Sequence, residues 1–99
     1  MLATRRDESL NLIASIRRFN TNTGNGRLQL EGEDETVAFG FRVNYRDVDF
    51  VMKKKFSENL DANNGVDVEH WEYLELVANP IRLLDGQVVK YLVVGFHDD

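Results

Sequence analysis

Val37-Ala38-Phe39-Gly40-Phe41-Arg42-Val43-Asn44-Tyr45-Arg46-Asp47-Val48-Asp49-Phe50-Val51-Met52-Lys53-Lys54-Lys55-Phe56 is the stretch on which the reading of the fold turns. Apart from Ala38 and Val51, its apolar residues occupy odd positions up to Tyr45 and even positions from Val48 onward, with Arg46-Asp47 at the change of phase. Period-two alternation on both sides of a polar break predicts a β-hairpin with its tip at Arg46-Asp47. Tyr45 would then oppose Val48, Val43 would oppose Phe50, Phe41 would oppose Met52, and Val37 would oppose Phe56, all on one side of the sheet.

Working outward, Arg27 to Glu31 reads as a strand with Leu28 and Leu30 on one face, followed by the acidic turn Gly32-Glu33-Asp34-Glu35. A tip at Glu33-Asp34 would place Leu30 opposite Val37 and Leu28 opposite Phe39, giving a meander with one apolar layer. Its other face would carry Gln29, Arg42, Asn44, Lys53 and Lys55. Upstream, Thr4 and Asp7 have the spacing of a helix capping box, and Leu12, Ile16 and Phe19, with Ile13 beside them, have helical spacing. A helix beginning near residue 5 is expected, with Arg17 and Arg18 at the negative end of its dipole. The segment from Asn20 to Gly26 is polar and reads as a loop rather than a phosphate cradle, since it leads into a strand and lacks the lysine-serine or lysine-threonine ending.

Toward the C-terminus, Leu84-Asp85-Gly86-Gln87 carries a strong hairpin signal, because glycine accepts the positive φ that a tight turn requires. Val88 to Phe96 is apolar on both sides and predicts a central strand. Val68 to Ala78 has two readings. One is a helix capped by Asp67 and stopped by Asn79-Pro80; the other, which is preferred, is a bent strand running past Pro80 with Leu76 and Ala78 on one face. The expected fold is α+β: a single domain over residues 1–99, with an N-terminal helix packed on an antiparallel sheet of about five strands and hairpin tips at Arg46-Asp47 and Asp85-Gly86. A second helix near 68–78 is the variant of that fold.

Composition narrows the chemistry. The chain has 99 residues, 42% of them hydrophobic, which suits one core, and it has no cysteine. Disulfides, thiolate nucleophiles and cysteine-ligated zinc are therefore excluded, and a reducing compartment is tolerated. With no apolar stretch of membrane-spanning length and no signal-like leader, a cytoplasmic location without membrane attachment is expected. Phe39-Gly40-Phe41 sets two aromatics around a glycine, as some RNA-binding strands do. The basic residue and glycine that precede the first aromatic in such strands are here Val37-Ala38, and the periodicity directs both rings into the core. His70 and His97-Asp98-Asp99 lack the spacing of a metal site, so neither metal nor cofactor is expected. Ser9, Ser15 and Ser57 stand in no recognisable nucleophile motif, so no enzyme activity is expected.

The net charge of −5 disfavours a role built on whole-molecule attraction to nucleic acid. The preferred expectation is a non-enzymatic, protein-binding module of inhibitor or adaptor type, such as a phage or mobile element would direct against a host nucleic-acid enzyme. Trp71 and Tyr73 would anchor the partner, with Glu33, Asp34, Glu35, Glu69 and Glu72 as a charged rim. The alternatives are a nucleic-acid module using Arg42, Arg46, Lys53 and Lys55 on the hairpin face, and a small-ligand domain with its pocket under the loop from Asn20 to Gly26. A homodimer through a strand edge is compatible with each.

Overall fold

The computed structural model describes residues 8–97 and the backbone of residues 2–4. Its elements are β1 (Leu2–Thr4), β2 (Leu10–Phe19), β3 (Gly26–Leu30), β4 (Val37–Phe41), α1 (Phe50–Asn63), β5 (Leu74–Leu83) and β6 (Val88–His97). Single 3-10 turns occupy Tyr45–Asp47 and Val68–His70. The strands do not form an open sheet. Going round, β5, β2, β3, β4 and β6 are neighbours, and β6 pairs again with β5, so five strands close into a barrel. Every pairing is antiparallel except β4 with β6, which is parallel. β1 extends the line of β2 along β5, pairing Leu2 with Leu83 and Thr4 with Ile81. This strand order, with a parallel closing pair and a helix between the third and fourth barrel strands, is the topology of the OB-fold.

The barrel corrects the expected architecture in two places. No helix lies at residues 10–19; the segment is strand β2, with Leu12, Ala14 and Ile16 alternating into the core. Pairing with β3 skips Arg17, a bulge that returns Phe19 to the inner side. Leu12, Ile16 and Phe19 thereby acquire spacings of four and three that imitate a helical stripe. Of the expected cap, Asp7 lies outside the described residues.

Residues 37–56 are likewise not a hairpin. β4 ends at Phe41, and a 14-residue helix begins at Phe50. Asp49 caps that helix, its Oδ1 accepting from the Val51 amide at 2.8 Å. Met52, Phe56 and Leu60 pack toward the core. Their spacing of four satisfies a strand period of two and a helical i, i+4 stripe equally, and the cap together with good helix formers decides the matter. Lys54 points to solvent.

Other expectations hold. Gly26–Leu30 is a strand, although its register with β4 differs from that expected: Leu28 opposes Val37 and Gly26 opposes Phe39. The Asp85-Gly86 turn joins β5 to β6, with Gly86 at φ +94° and the Leu83 amide donating to the Gln87 carbonyl at 2.8 Å. The strand expected from Val68 begins only at Leu74 and runs through Pro80 to Leu83, with bulges at Val77/Ala78 and Ile81/Arg82; the variant helix near 68–78 is reduced to the turn Val68–His70. β6 lies between β4 and β5, a central strand as its composition requires.

The core is a ring-rich cluster. Phe39 and Phe56 are fully buried 5.5 Å apart, and Phe19 and Phe41 pack around them. Helix α1 is also held by polar contacts. Beyond Leu74, where β5 pairs with Ala14, β2 loses that neighbour, and the Ile16 amide donates instead to Asn59 Oδ1 at 2.8 Å. Asn63 donates to Ser15 Oγ and to the Glu72 carbonyl, each at 2.8 Å, and accepts from the Glu72 amide. Among the described residues no buried side-chain polar atom lacks a partner.

Candidate functional site

Closure of the barrel leaves an outer face across β2, β3, β4 and β6, and the register shows what stands on it. Phe19, Leu28, Phe39 and Tyr91 turn inward, so their neighbours Arg18, Arg27, Ala38 and Lys90 turn outward. Arg18 pairs with Arg27, Arg27 with Ala38, and Ala38 with Lys90. Three cations therefore stand in one row across four adjacent strands, roughly 14 Å from the first strand to the last at the usual strand spacing. The floor is low. Ala38 lies in the row, and Gly40 follows on the same side, where an added Cβ would meet Asn25 Oδ1 at 2.8 Å and Lys90 Cε at 3.3 Å. Lys90 thus lays its stem over the glycine.

The rest of the charge is arranged around this face rather than on it. β2, β3, β4 and β6 contain no aspartate or glutamate, yet they hold Arg17, Arg18, Arg27 and Lys90. Among the described residues, every acidic residue except Glu75 of β5 lies in α1, in a turn or in a connection. Arg27 is pre-oriented, with Nε donating to Thr36 Oγ1 at 2.7 Å and a terminal nitrogen to the Thr36 carbonyl at 3.0 Å. Glu33 and Glu35 line a recess with Arg27.

Just past the end of β4, away from the row, stands Arg42, its guanidinium donating to Asn79 Oδ1 at 3.1 Å. Past it opens a cleft of about 400 Å³ between the end of β4, the first turn of α1 and β6.

The residues expected to act together are dispersed. Without the hairpin, Arg42 follows β4, Arg46 lies in a 3-10 turn, and Lys53 and Lys55 ride on α1. Lys53 stands 4.4 Å above the ring of Tyr45. Lys55 instead borders a recess with Glu72 and Tyr73. Of the expected protein-binding set, Trp71, Glu72 and Tyr73 form the approach to β5, and Glu69 lies in the 3-10 turn before it. Glu33, Asp34 and Glu35 sit in the β3–β4 turn, and no cavity or hydrogen bond among the described residues joins the two groups. Trp71 is already engaged: its indole N–H donates to the Val66 carbonyl at 2.8 Å, and the Arg17 guanidinium lies 3.9 Å from its ring centre.

Two remaining groups were singled out from the sequence. His70, with Asp67 and Glu69, forms an exposed cluster whose ligand atoms lie within 4.8 Å of one another, a common surface arrangement. His97 pairs with Asn11 Oδ1 at 3.1 Å. The residues that sequence reasoning missed are Arg18, Arg27 and Lys90. The available signal was the absence of acid from four apolar-alternating segments, which becomes visible only once β2 is recognised as a strand.

Comparison of the chain with family models, curated proteins and solved structures finds no match. No helix among the described residues is long and apolar enough to cross a membrane.

Proposed function

We propose that the protein is a single-stranded nucleic-acid-binding module whose phosphate-binding surface is the outer face of β2, β3, β4 and β6. The observation that carries this reading is the cross-strand row Arg18, Arg27, Lys90 over the low floor of Ala38 and Gly40, on strands free of acid. Phosphates approach cations that are not neutralised within the face, while the acids on the loops limit binding elsewhere. In OB-folds the face of the second and third barrel strands, here β3 and β4, is a common site for oligonucleotides, and that analogy supports the choice of ligand. The aromatic rings of β4 point into the core, so stacking on this face contributes little and affinity rests on the phosphates. This reading ranks above protein docking through Trp71, because the indole is satisfied within the chain and the acidic rim is divided between two places.

The test is charge reversal. A variant carrying Arg18→Glu, Arg27→Glu and Lys90→Glu is expected to lose at least about a hundredfold in affinity for a fluorescent 12-nucleotide DNA strand at low salt. Lys54→Glu, an exposed change on α1, serves as the control and is expected to change binding little. Equal loss in both variants, or undiminished binding by the triple variant with its circular dichroism intact, contradicts the assignment.

A further inference from the structure

The cleft beyond Arg42 has a construction that the phosphate-binding face does not explain. Its walls are apolar, from Phe41, Val43, Met52 and Val94 among others. Val43 is 57% exposed and Val94 40% exposed, so the chain leaves this lining open to water. Arg42 also lines the cleft, two residues after Gly40, its guanidinium bonded to the buried Asn79 side chain. Asp47 lines it as well, and its carboxylate has no side-chain partner among the described residues.

An apolar recess of about 400 Å³, bordered by the Arg42 cation and by two carboxylates, Asp49 engaged as the cap of α1 and Asp47 left to a ligand, fits a planar group attached to a phosphate. We infer that the cleft seats one nucleobase of the bound strand, with its phosphate on Arg42 and an exocyclic amino group donating to Asp47. This inference rests on the single-stranded nucleic-acid reading. The carboxylate sets the preference. Cytosine and adenine carry an amino group that donates to it, whereas thymine presents a carbonyl oxygen at the equivalent position. The walls are Phe41, aliphatic branches and Met52 with its thioether, which accept a flat ring without specifying it.

Twelve-nucleotide strands of deoxyadenosine, deoxycytidine and deoxythymidine, titrated by fluorescence anisotropy against wild type, Asp47→Ala and Val43→Trp, provide the test. Wild type is expected to bind the first two roughly tenfold more tightly than the third, the size of one charge-assisted hydrogen bond. Asp47→Ala is expected to bring the three affinities together. Val43→Trp, an exposed position whose enlargement fills the cleft, is expected to do the same while leaving the salt dependence unchanged. The Met52 methyl resonance of isotopically labelled wild type is expected to shift with cytidine monophosphate more than with thymidine monophosphate. If the strands bind equally to wild type and the Met52 methyl stays in place, the base-seating inference falls and the phosphate-binding face stands. Retention of a tenfold preference in both variants also overturns it. Absence of binding by every strand overturns both.

Discussion

At the scale of single residues, three buried polar side chains carry more of this fold than their type suggests. Asn59 answers the Ile16 amide where β5 ends, and Asn63 ties Ser15 to the backbone of Glu72. Asn59→Ala leaves the Ile16 amide buried without an acceptor and is expected to cost about 1–3 kcal/mol in urea denaturation. None of this was legible in the sequence, because an asparagine on a polar-looking stretch carries no sign of its partner 43 residues away. Tyr91 supplies a second prediction. Burial pushes its phenol above the ordinary value of 10.0, Arg82 pulls it back and Glu33 adds to the rise. The neutral phenol is therefore favoured in the folded state. Its contribution is fully present below pH 10 and is lost as pH rises through the higher folded value. Tyr91→Phe is expected to reduce the fall in urea midpoint between pH 9 and pH 11; an identical alkaline fall in both proteins would remove Tyr91 from the account.

At the scale of elements, what could be read depended on how local the signal was. The Asp85-Gly86 hairpin and the strand Gly26–Leu30 were legible because a two-residue turn and strict alternation are complete within a few positions. Two other elements were misread for one physical reason: apolar residues four apart satisfy both strand and helix periods. In β2 the bulge at Arg17 completed the imitation of a helix, and Met52 and Phe56 of α1, with Val48 and Phe50 before them, imitated a strand. The N-cap Asp49 was the decisive residue in the second case. Asp49→Ala is expected to cost about 1 kcal/mol and to lower amide protection in the first turn of α1. Phe56→Ala removes the ring by which α1 closes the core, and a loss of about 3–5 kcal/mol is expected on chemical denaturation. A loss below about 1 kcal/mol would mean that α1 is not seated there.

At the scale of the whole molecule, closure was the least legible property. It depends on β4 lying parallel to β6 across about fifty residues of chain, and on β5 meeting both β2 and β6, pairings that no local pattern encodes. The same closure turns an acidic chain into one with a cationic face. Arg18, Arg27 and Lys90 are far apart in sequence and become a row only through the register. Net charge averaged this away, since 17 acidic residues outnumber 12 basic ones while avoiding four of the strands. The most direct test of the central claim is the salt dependence of binding to a 12-nucleotide single strand, measured by anisotropy between 25 and 200 mM sodium chloride (about an eightfold range). Three phosphate contacts predict a slope of log K against log salt near −2, at about −0.7 per contact, falling toward zero in the Arg18, Arg27, Lys90 reversal. Binding whose slope is close to zero in wild type, or a slope that the reversal leaves unchanged, contradicts the assignment of this face.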